Sequence, residues 1–375
     1  MENNDFCLYL SQKEGSEAAK EISLKIKSNT SVKPSFIFIL FTPGYQSQDL
    51  LKTFNFTLKS SNLLGIKAPF LIYKGQIIKT GVVCCWVNKK DSRFKVFFTG
   101  EKDSEKIEDK FRLNFKTLKK KEINLLSFLS PQINPLSFLE GLRLSLGRLS
   151  NFAGAGFDNK NCLDKHFMIN AGVGSGLASL NLKGIQAKKI YLHNFIPLGK
   201  QFDITKINFK QKIIHEINNK PAVEIYRHYL EENFSRFIQN RLFHYYPLGI
   251  PGGDSTRLLV ISDILEDGSL VFKGNLRHKV LANIMILKEK YSREEISKEL
   301  RKNDIAPGGI AFIISSLDRK KNLGKAAEAE LKNIQKAFSP SKEVFGLFSD
   351  YYFFSDNKNQ DMNIESGGFI INAWN

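Results

Sequence analysis

Apolar residues recur at helical spacing in residues 16–28, "SEAAKEISLKIKS", with Lys and Glu on the opposite face, which predicts a helix. "FIFILF" (36–41) is a continuous apolar run, the pattern of a strand covered on both faces. "TPGYQSQ" breaks that run, and a second helix fits residues 46–58. "GIKAPFLIYKGQIIKTGVVCCWV" (65–87) reads as short strands joined at "YKGQ", and "RFKVFFTG" (93–100) as another strand. "EKDSEKIEDK" (101–110) reads as a charged excursion. In "NPLSFLEGLRLSLGRLS" (134–150) Leu falls at helical intervals behind a first-turn Pro, so this segment is one helix or two short ones.

The Gly-rich stretch "SNFAGAGFDNKN" (150–161) then reads as a loop that turns the chain at a domain junction and brings Asp158 near a pocket. Beyond it the texture changes. "FMINAGVGSGLASLNLKGIQAKKIYLHNFIPLG" (167–199) suggests strands and tight turns. Residues 203–233 suggest paired strands, a turn at "NNKP" and a helix opened by Pro221. "TRLLVISDILEDGSLVFKGNL" (256–276) suggests a hairpin about Asp267 and Gly268.

The end of the chain repeats the order of its beginning: helix "REEISKELRK", strand "GGIAFIIS", helix "KAAEAELKNIQKAF", then strands "VFGLFSDYYFF" and "GGFIINAWN". Internal duplication and chance recurrence of a common pattern both account for this. Either way the class is α/β, two lobes of mixed β-sheets covered by helices, with the regions set at 15–150 and 151–375.

Composition narrows this picture little. The 375 residues suit two domains, and 42% hydrophobic content argues against general disorder. A net charge of +17 suits an anionic partner, but the basic residues are scattered. The densest run, "KTLKKKEI" (116–123), lacks interleaved aromatics and reads as a solvated linker, not a nucleic-acid site. No run is long enough to span a bilayer and the start is acidic and polar, so a cytoplasmic protein is expected. Cys7, Cys84, Cys85 and Cys162 give no zinc spacing; the adjacent Cys84 and Cys85 should point to opposite faces of a strand as small hydrophobes.

Nor do motifs name a reaction. "GAGFDN" follows a helix, unlike a dinucleotide loop, and "GVGSG" (172–176) lacks the Lys-Ser or Lys-Thr of a Walker loop. Tight strand packing and phosphate cradling both remain readings of those glycines. None of the six His sits in an HxH or HExxH arrangement; His193, just before "PLG", is a haem-ligand candidate or an ordinary loop histidine. Asp254 and Arg257 in "PGGDSTR", and Asp318 and Arg319 in "SSLDR", could orient a polar ligand or form structural ion pairs.

The order of segments resembles the FIST family (F-box and intracellular signal transduction), over residues 15–372. "FIFILFTPGY" and "LLGIKAPFLIYKGQIIKTG" resemble the family's opening strand, its "GCST-G" type turn and "GV" strand. Asp158 takes the acidic place of a Gly-Gly-x-x-x-Asp element. "PLGKQFDITKINFKQKIIHEINNKPAVEIYRHYL" is similar to the Pro-x-Gly to "ELDGKPA…Y" run, "GGIAFIISSLDR" to "GALLFSCxGR", and "VFGLFSDYYFF" to "GFYTYGEI". Departures fall where the resemblance implies a ligand pocket. Lys67 and Pro69 replace the turn's Cys and Ser, Ser349 and Asp350 replace Gly-Glu, and Asp318 replaces the Gly before Arg319.

The resemblance implies a non-enzymatic sensory module that binds a small ligand such as an amino acid and signals through a separate partner, a histidine kinase or cyclase. Its expected site comprises Asp158, Arg257, Arg319 and Asp350, where carboxylate and guanidinium would meet the two charges of a zwitterion. The alternatives are a haem-based nitric-oxide sensor with His193 as axial ligand, and a protein-binding scaffold that has lost ligand binding.

Overall fold

Three stretches of the chain fold in the same order. In the first, β1 (Phe6–Ser11), α1 (Gly15–Asn29), β2 (Phe36–Phe41), α2 (Ser47–Leu58) and β3 (Leu63–Lys67) precede a hairpin, β4 (Leu71–Tyr73) and β5 (Gln76–Ile78), and a last strand, β6 (Val82–Val87). The second repeats this with β7 (Arg93–Thr99), α3 (Ser104–Phe115), β8 (Asn124–Leu129), α4 (Pro135–Leu146), β9 (Asn151–Gly156), hairpin β10 (Phe167–Ile169) and β11 (Gly172–Gly174), and β12 (Leu177–Lys183).

The third begins with β13 (Ala187–Leu192) and is interrupted by an inserted lobe. That insert holds β14 (Phe195–Asn208), β15 (Ile213–Ile217), β16 (Lys220–Pro221), α5 (Glu224–Leu230), α6 (Phe234–Gln239), β17 (Leu248–Gly252), β18 (Ser255–Ile264), β19 (Leu270–Lys273) and β20 (Leu281–Leu287). The third unit resumes with α7 (Arg293–Lys302), β21 (Ile310–Ser316), α8 (Leu317–Leu323), α9 (Ala326–Ala337), β22 (Glu343–Ser349), hairpin β23 (Tyr351–Ser355) and β24 (Met362–Glu365), and β25 (Phe369–Trp374). This computed structural model describes residues 5–29, 34–58, 62–89, 92–101, 103–115, 123–147, 151–158, 166–169, 172–252, 255–273, 276, 281–305, 309–338, 343–355 and 362–374.

Each unit builds one six-stranded mixed sheet, in the orders β1-β6-β2-β3-β10-β11, β7-β12-β8-β9-β23-β24 and β13-β25-β21-β22-β4-β5. The parallel pairs are the central ones, β2/β3, β8/β9 and β21/β22. The last two strands of each sheet are a hairpin lent by another unit: the first lends to the third, the second to the first, and the third to the second. The exchange closes a ring of three.

Strand alternation explains the packing. Phe36, Phe38 and Leu40 enter a core shared by all three sheets, while Ile37, Ile39 and Phe41 lie under α1 and α2. Phe38, Phe128 and Phe312, one from each central strand, meet with ring centroids 5.2–6.2 Å apart. The strand ends repeat too: Thr42, Ser130 and Ser316 donate their amides to the carbonyls of Gly81, Gly176 and Gly368 at 3.1, 2.8 and 3.2 Å.

The inserted lobe is antiparallel, in the order β14-β20-β17-β18-β19-β15-β16, and β14 also pairs with β15, which closes the sheet on itself. Its own core joins Tyr226 of α5 and Phe237 of α6 to Ile204, Leu248 and Phe272. The architecture is thus α/β with mixed sheets in two lobes, the second carried on a loop position of the first.

Two expectations need correction. The "GAG" of residues 154–156 is not a turn but the buried end of β9, where the rings of Phe353 and Tyr351 occupy the space that a β-carbon on Gly154 or Gly156 would need. "EKDSEKIEDK" contributes to helix α3, whose Ile107 and Phe111, four residues apart, bury 97% and 99% of their surface against the sheet and α4 (3% and 1% exposed). The recurrence seen at the two ends of the sequence has a third copy in the middle. Cys84 and Cys85 do face opposite cores. Cys162, Asp254 and most of "KTLKKKEI" lie outside the described residues.

Candidate functional site

The segment Gly156–Phe157–Asp158, where β9 ends, is a meeting point of two units. The Asp158 amide donates to Asp350 Oδ2 at 2.8 Å, and the Asp350 amide donates to the Gly156 carbonyl at 3.1 Å. Two expected site residues, 192 positions apart, therefore share a hydrogen bond. Both stand at the C-terminal ends of parallel strands, β9 and β22, the end at which ligand crevices form in α/β sheets. Tyr351 lies over Gly156 beside both carboxylates, and burial together with their charge raises its phenol well above the ordinary range.

The inserted lobe supplies the facing charges. Lys273, at the end of β19, has its Nζ 3.9 Å from Asp318 Oδ2 at the start of α8, and Asn322 Nδ2 of the same helix donates to the His244 carbonyl at 3.0 Å. Desolvation and the Asp350 charge raise the carboxyl of Asp158 above the usual carboxylate range, against the pull of Lys273 and Lys212. Burial lowers the Lys212 ammonium, and Asp158 partly restores it. Two lysines of the inserted lobe (Lys212, Lys273) thus face Asp158 and Asp318 across the lobe junction, with Asp350 beside Asp158 and Lys321 beside Asp318 on α8. Such an alternation of signs suits a small ligand carrying both.

The two expected arginines are bonded to other protein groups. Arg319 is 0% exposed; its Nε and Nη2 donate to Glu330 at 2.8 and 2.5 Å, and its Nη1 to the Gly367 carbonyl at 3.4 Å. Arg257 Nη1 donates to Asn363 Oδ1 at 2.8 Å and borders a cavity of about 10 Å3, room for a water and no more. The structure therefore joins Asp158 to Asp350 and keeps Arg257 and Arg319 apart from them, on protein partners.

His193 is equally engaged. Its Nδ1 accepts from the Phe195 amide at 3.2 Å, so Nε2 carries the proton and donates to the Thr256 carbonyl at 2.7 Å. Burial holds its pKa down at about 4. With both ring nitrogens spent, His193 does not fit the role of a haem axial ligand without breaking one of these bonds. Among the described residues no group of His, Cys, Asp and Glu is arranged to hold a metal ion.

Sequence reasoning missed Lys212 and Lys273. They come from the inserted lobe and no linear motif joins them to Asp158 and Asp350; only the "GFD" and "SD" ends of β9 and β22 were legible.

Comparison with known proteins agrees with the segment order. The FIST N domain matches residues 35–220 and the FIST C domain matches residues 222–350. The chain belongs to the FIST family. FIST domains are sensor modules of signal transduction. The boundary between the two FIST matches falls inside the inserted lobe, at the β16 hairpin end, so the lobe junction draws on both. Among solved structures, a cyanuric acid hydrolase from A. caulinodans is similar over 98% of this chain and 98% of its own, at 6% identity and a TM-score of 0.38. At that level the likeness speaks to neither activity nor ligand. No curated protein sequence matches the chain. No helix of this FIST chain is long and apolar enough, among the described residues, to cross a membrane.

Proposed function

We propose that this FIST protein is a cytoplasmic, non-enzymatic sensor that binds a small amino-acid-like ligand at the lobe junction and signals by contact with a partner protein such as a histidine kinase or a cyclase. The observation that carries this reading is the Asp158–Asp350 pair, held by a 2.8 Å hydrogen bond opposite Lys212 and Lys273. Two acceptor-only carboxylates suit an ammonium group, and ligand binding between lobes offers a means of changing their relative position.

The test is a thermal-shift screen against amino acids, small carboxylates and haemin, with Asp350→Asn alongside. A ligand at a hundred times its Kd stabilises by about 2.7 kcal/mol. The expected result is a saturable shift with amino acids that weakens about tenfold or more in Asp350→Asn. A flat response across the panel would overturn the ligand reading and leave the protein-binding scaffold.

A further inference from the structure

Directly inside the charged junction the three-sheet lobe ends in a layer of buried polar side chains. The inward positions of β2, β8 and β21 run from Phe38, Leu126 and Phe312 through Leu40, Phe128 and Ile314 to the hydroxyls of Thr42, Ser130 and Ser316. Thr42 Oγ1 accepts from the Gly81 amide at 3.1 Å; Ser316 Oγ accepts from Gly367 at 2.8 Å and from Arg319 at 3.0 Å. Ser130 Oγ, the third of the set, has no hydrogen-bond partner. Ser349, the inward residue that follows Phe345 and Leu347 on β22, has none for its Oγ either.

His166 completes the layer. Its ring stacks on Phe157 with centroids 5.4 Å apart, and neither Nδ1 nor Nε2 has a partner. Ser130, Ser349 and His166 are 0%, 0% and 1% exposed. All three border the same segment. The Phe157 amide donates to the carbonyl of Leu129, next to Ser130, at 3.1 Å, and Ser349 precedes Asp350, which is bonded to Gly156. These four buried polar atoms, on residues that all flank the 156–158 segment, lack protein partners, and each would cost about 1–3 kcal/mol if left dry, so water or a ligand group is needed to meet them.

The layer can serve an anion. The two hydroxyls and one imidazole N–H can donate, although the hydroxyl oxygens and the second imidazole nitrogen also accept, and a nearby cation sets the preference. The charge that acts on the His166 ring, among the described residues, is the Lys67 ammonium, whose amide also donates to the His166 carbonyl at 2.8 Å. Burial and that cation hold the imidazole neutral, with a pKa of about 4. A cationic occupant would meet the Lys67 charge, and a purely apolar one would leave the polar atoms unmet.

We propose that Ser130, Ser349 and His166 form an inner subsite that takes the carboxylate of a small ligand, whose ammonium group meets Asp158 and Asp350 at the junction. The ammonium half rests on the reading given under the proposed function; the carboxylate half stands without it.

Acetate tests the inner subsite alone. The His166 imidazole resonances, assigned by comparison with His166→Gln, are followed by NMR as acetate is added at constant ionic strength against chloride. A saturable shift is expected, with the His166 titration midpoint rising because a bound anion favours imidazolium, while His193 stays unmoved. Ser130→Ala and Ser349→Ala remove unpartnered hydroxyls, keep the fold by circular dichroism, and should each weaken acetate about tenfold, one hydrogen bond to a charged group. No response of His166, a response that does not saturate, or one unchanged in both serine variants would overturn the proposal, leaving a site for ordered water only. Acetate binding without stabilisation by any amino acid would keep the inner subsite and remove the amino-acid reading. Amino-acid binding that depends on Asp350 with no acetate effect at His166 would do the reverse.

Discussion

Arg319 separates a structural role from a ligand-binding one. Its side chain is wholly buried and its bidentate partner, Glu330, is 3% exposed. The guanidinium also lies over the rings of Phe369 and Tyr291, 5.0 and 5.6 Å from their centroids. Arg319→Ala would leave the Glu330 carboxylate buried with only the Tyr291 amide, 2.9 Å away, to solvate it. Breaking one side of such a pair costs about 3–5 kcal/mol, a large part of the roughly 5–15 kcal/mol that holds a typical domain together. Replacing both partners, Arg319→Met with Glu330→Leu, removes the stranded charge and leaves the Tyr291 N–H unpaired, at about 1–3 kcal/mol. The double variant should therefore be more stable than Arg319→Ala. Urea unfolding followed by fluorescence reads this, since Trp86 and Trp374 are both buried in the three-sheet lobe. A loss below about 1 kcal/mol in Arg319→Ala, outside the range for a broken buried pair, would refute the reasoning and return the guanidinium to the ligand site.

Other expectations follow from close packing and titration. Gly156→Ala forces a β-carbon into the Tyr351 ring and should cost about 3 kcal/mol, the upper range for overpacking, whereas Gly44→Ala, with no atom within 4 Å of the added carbon, should fall within about 0.5 kcal/mol of wild type by the same assay. His166 and His193 have pKa values lowered from 6.5 to about 4, so the unfolded chain binds more protons between those values. Stability should be full above pH 6.5 and fall as the pH drops toward 4, by at most about 3 kcal/mol per histidine, with the slope reduced in His193→Gln; a flat profile would contradict their burial as neutral rings. Any Soret band formed on adding haemin should survive His193→Ala, because both His193 nitrogens are bonded within the protein; loss of the band would restore it as an axial ligand.

Much of the fold was legible because its central strands are covered on both faces. "FIFILF" and "IAFIIS" could hardly be anything else, and α7 carries its stop and start in plain view, with a capping box of Ser292 and Glu295. The middle unit was hidden by composition. Gly154 and Gly156 look like a loop until Phe353 and Tyr351, 200 residues away, are seen to need their space. Among its described side chains α3 buries two, Ile107 and Phe111, among charges. The site was legible to the extent that acids cluster at strand ends. Its lysines and its buried hydroxyls depend on which hairpin crosses to which sheet, a fact that resides in pairings such as Tyr351 with Gly156 and in no local pattern.

The ring of three units also explains why a site forms at this end of the lobe. Phe70, His166 and Tyr351 occupy one structural position, because the residues that follow them, Leu71, Phe167 and Tyr352, pair with the equivalent inward residues Leu347, Ile66 and Ala155. The carbonyls of Phe70 and His166 accept from Phe348 N at 3.0 Å and Lys67 N at 2.8 Å, and Tyr351 pairs with Gly156 in the same register. The backbone repeats while the side chains differ: a phenyl ring, a neutral imidazole and a phenol. A symmetric ring of identical side chains would present one chemistry to a ligand and hold it in three equivalent orientations. Divergence of the three copies gives different chemistry in each, and the third copy adds Asp350 just before this position, where the first has Pro69; the Asp158 carboxyl beside it feels Lys212 and Lys273 of the inserted lobe. Orientation of an asymmetric ligand then follows from the broken symmetry. Asp350→Asn, which removes the charge that the first copy lacks at Pro69, should cost more in selectivity among amino acids than in stability, because Asp350 is partly exposed and its hydrogen bond to Asp158 is on the exposed side. Equal binding of an amino acid and its deaminated acid in that variant, against a clear preference in wild type, is the expected measurement; an unchanged preference would mean that the carboxylate pair does not read the ammonium group.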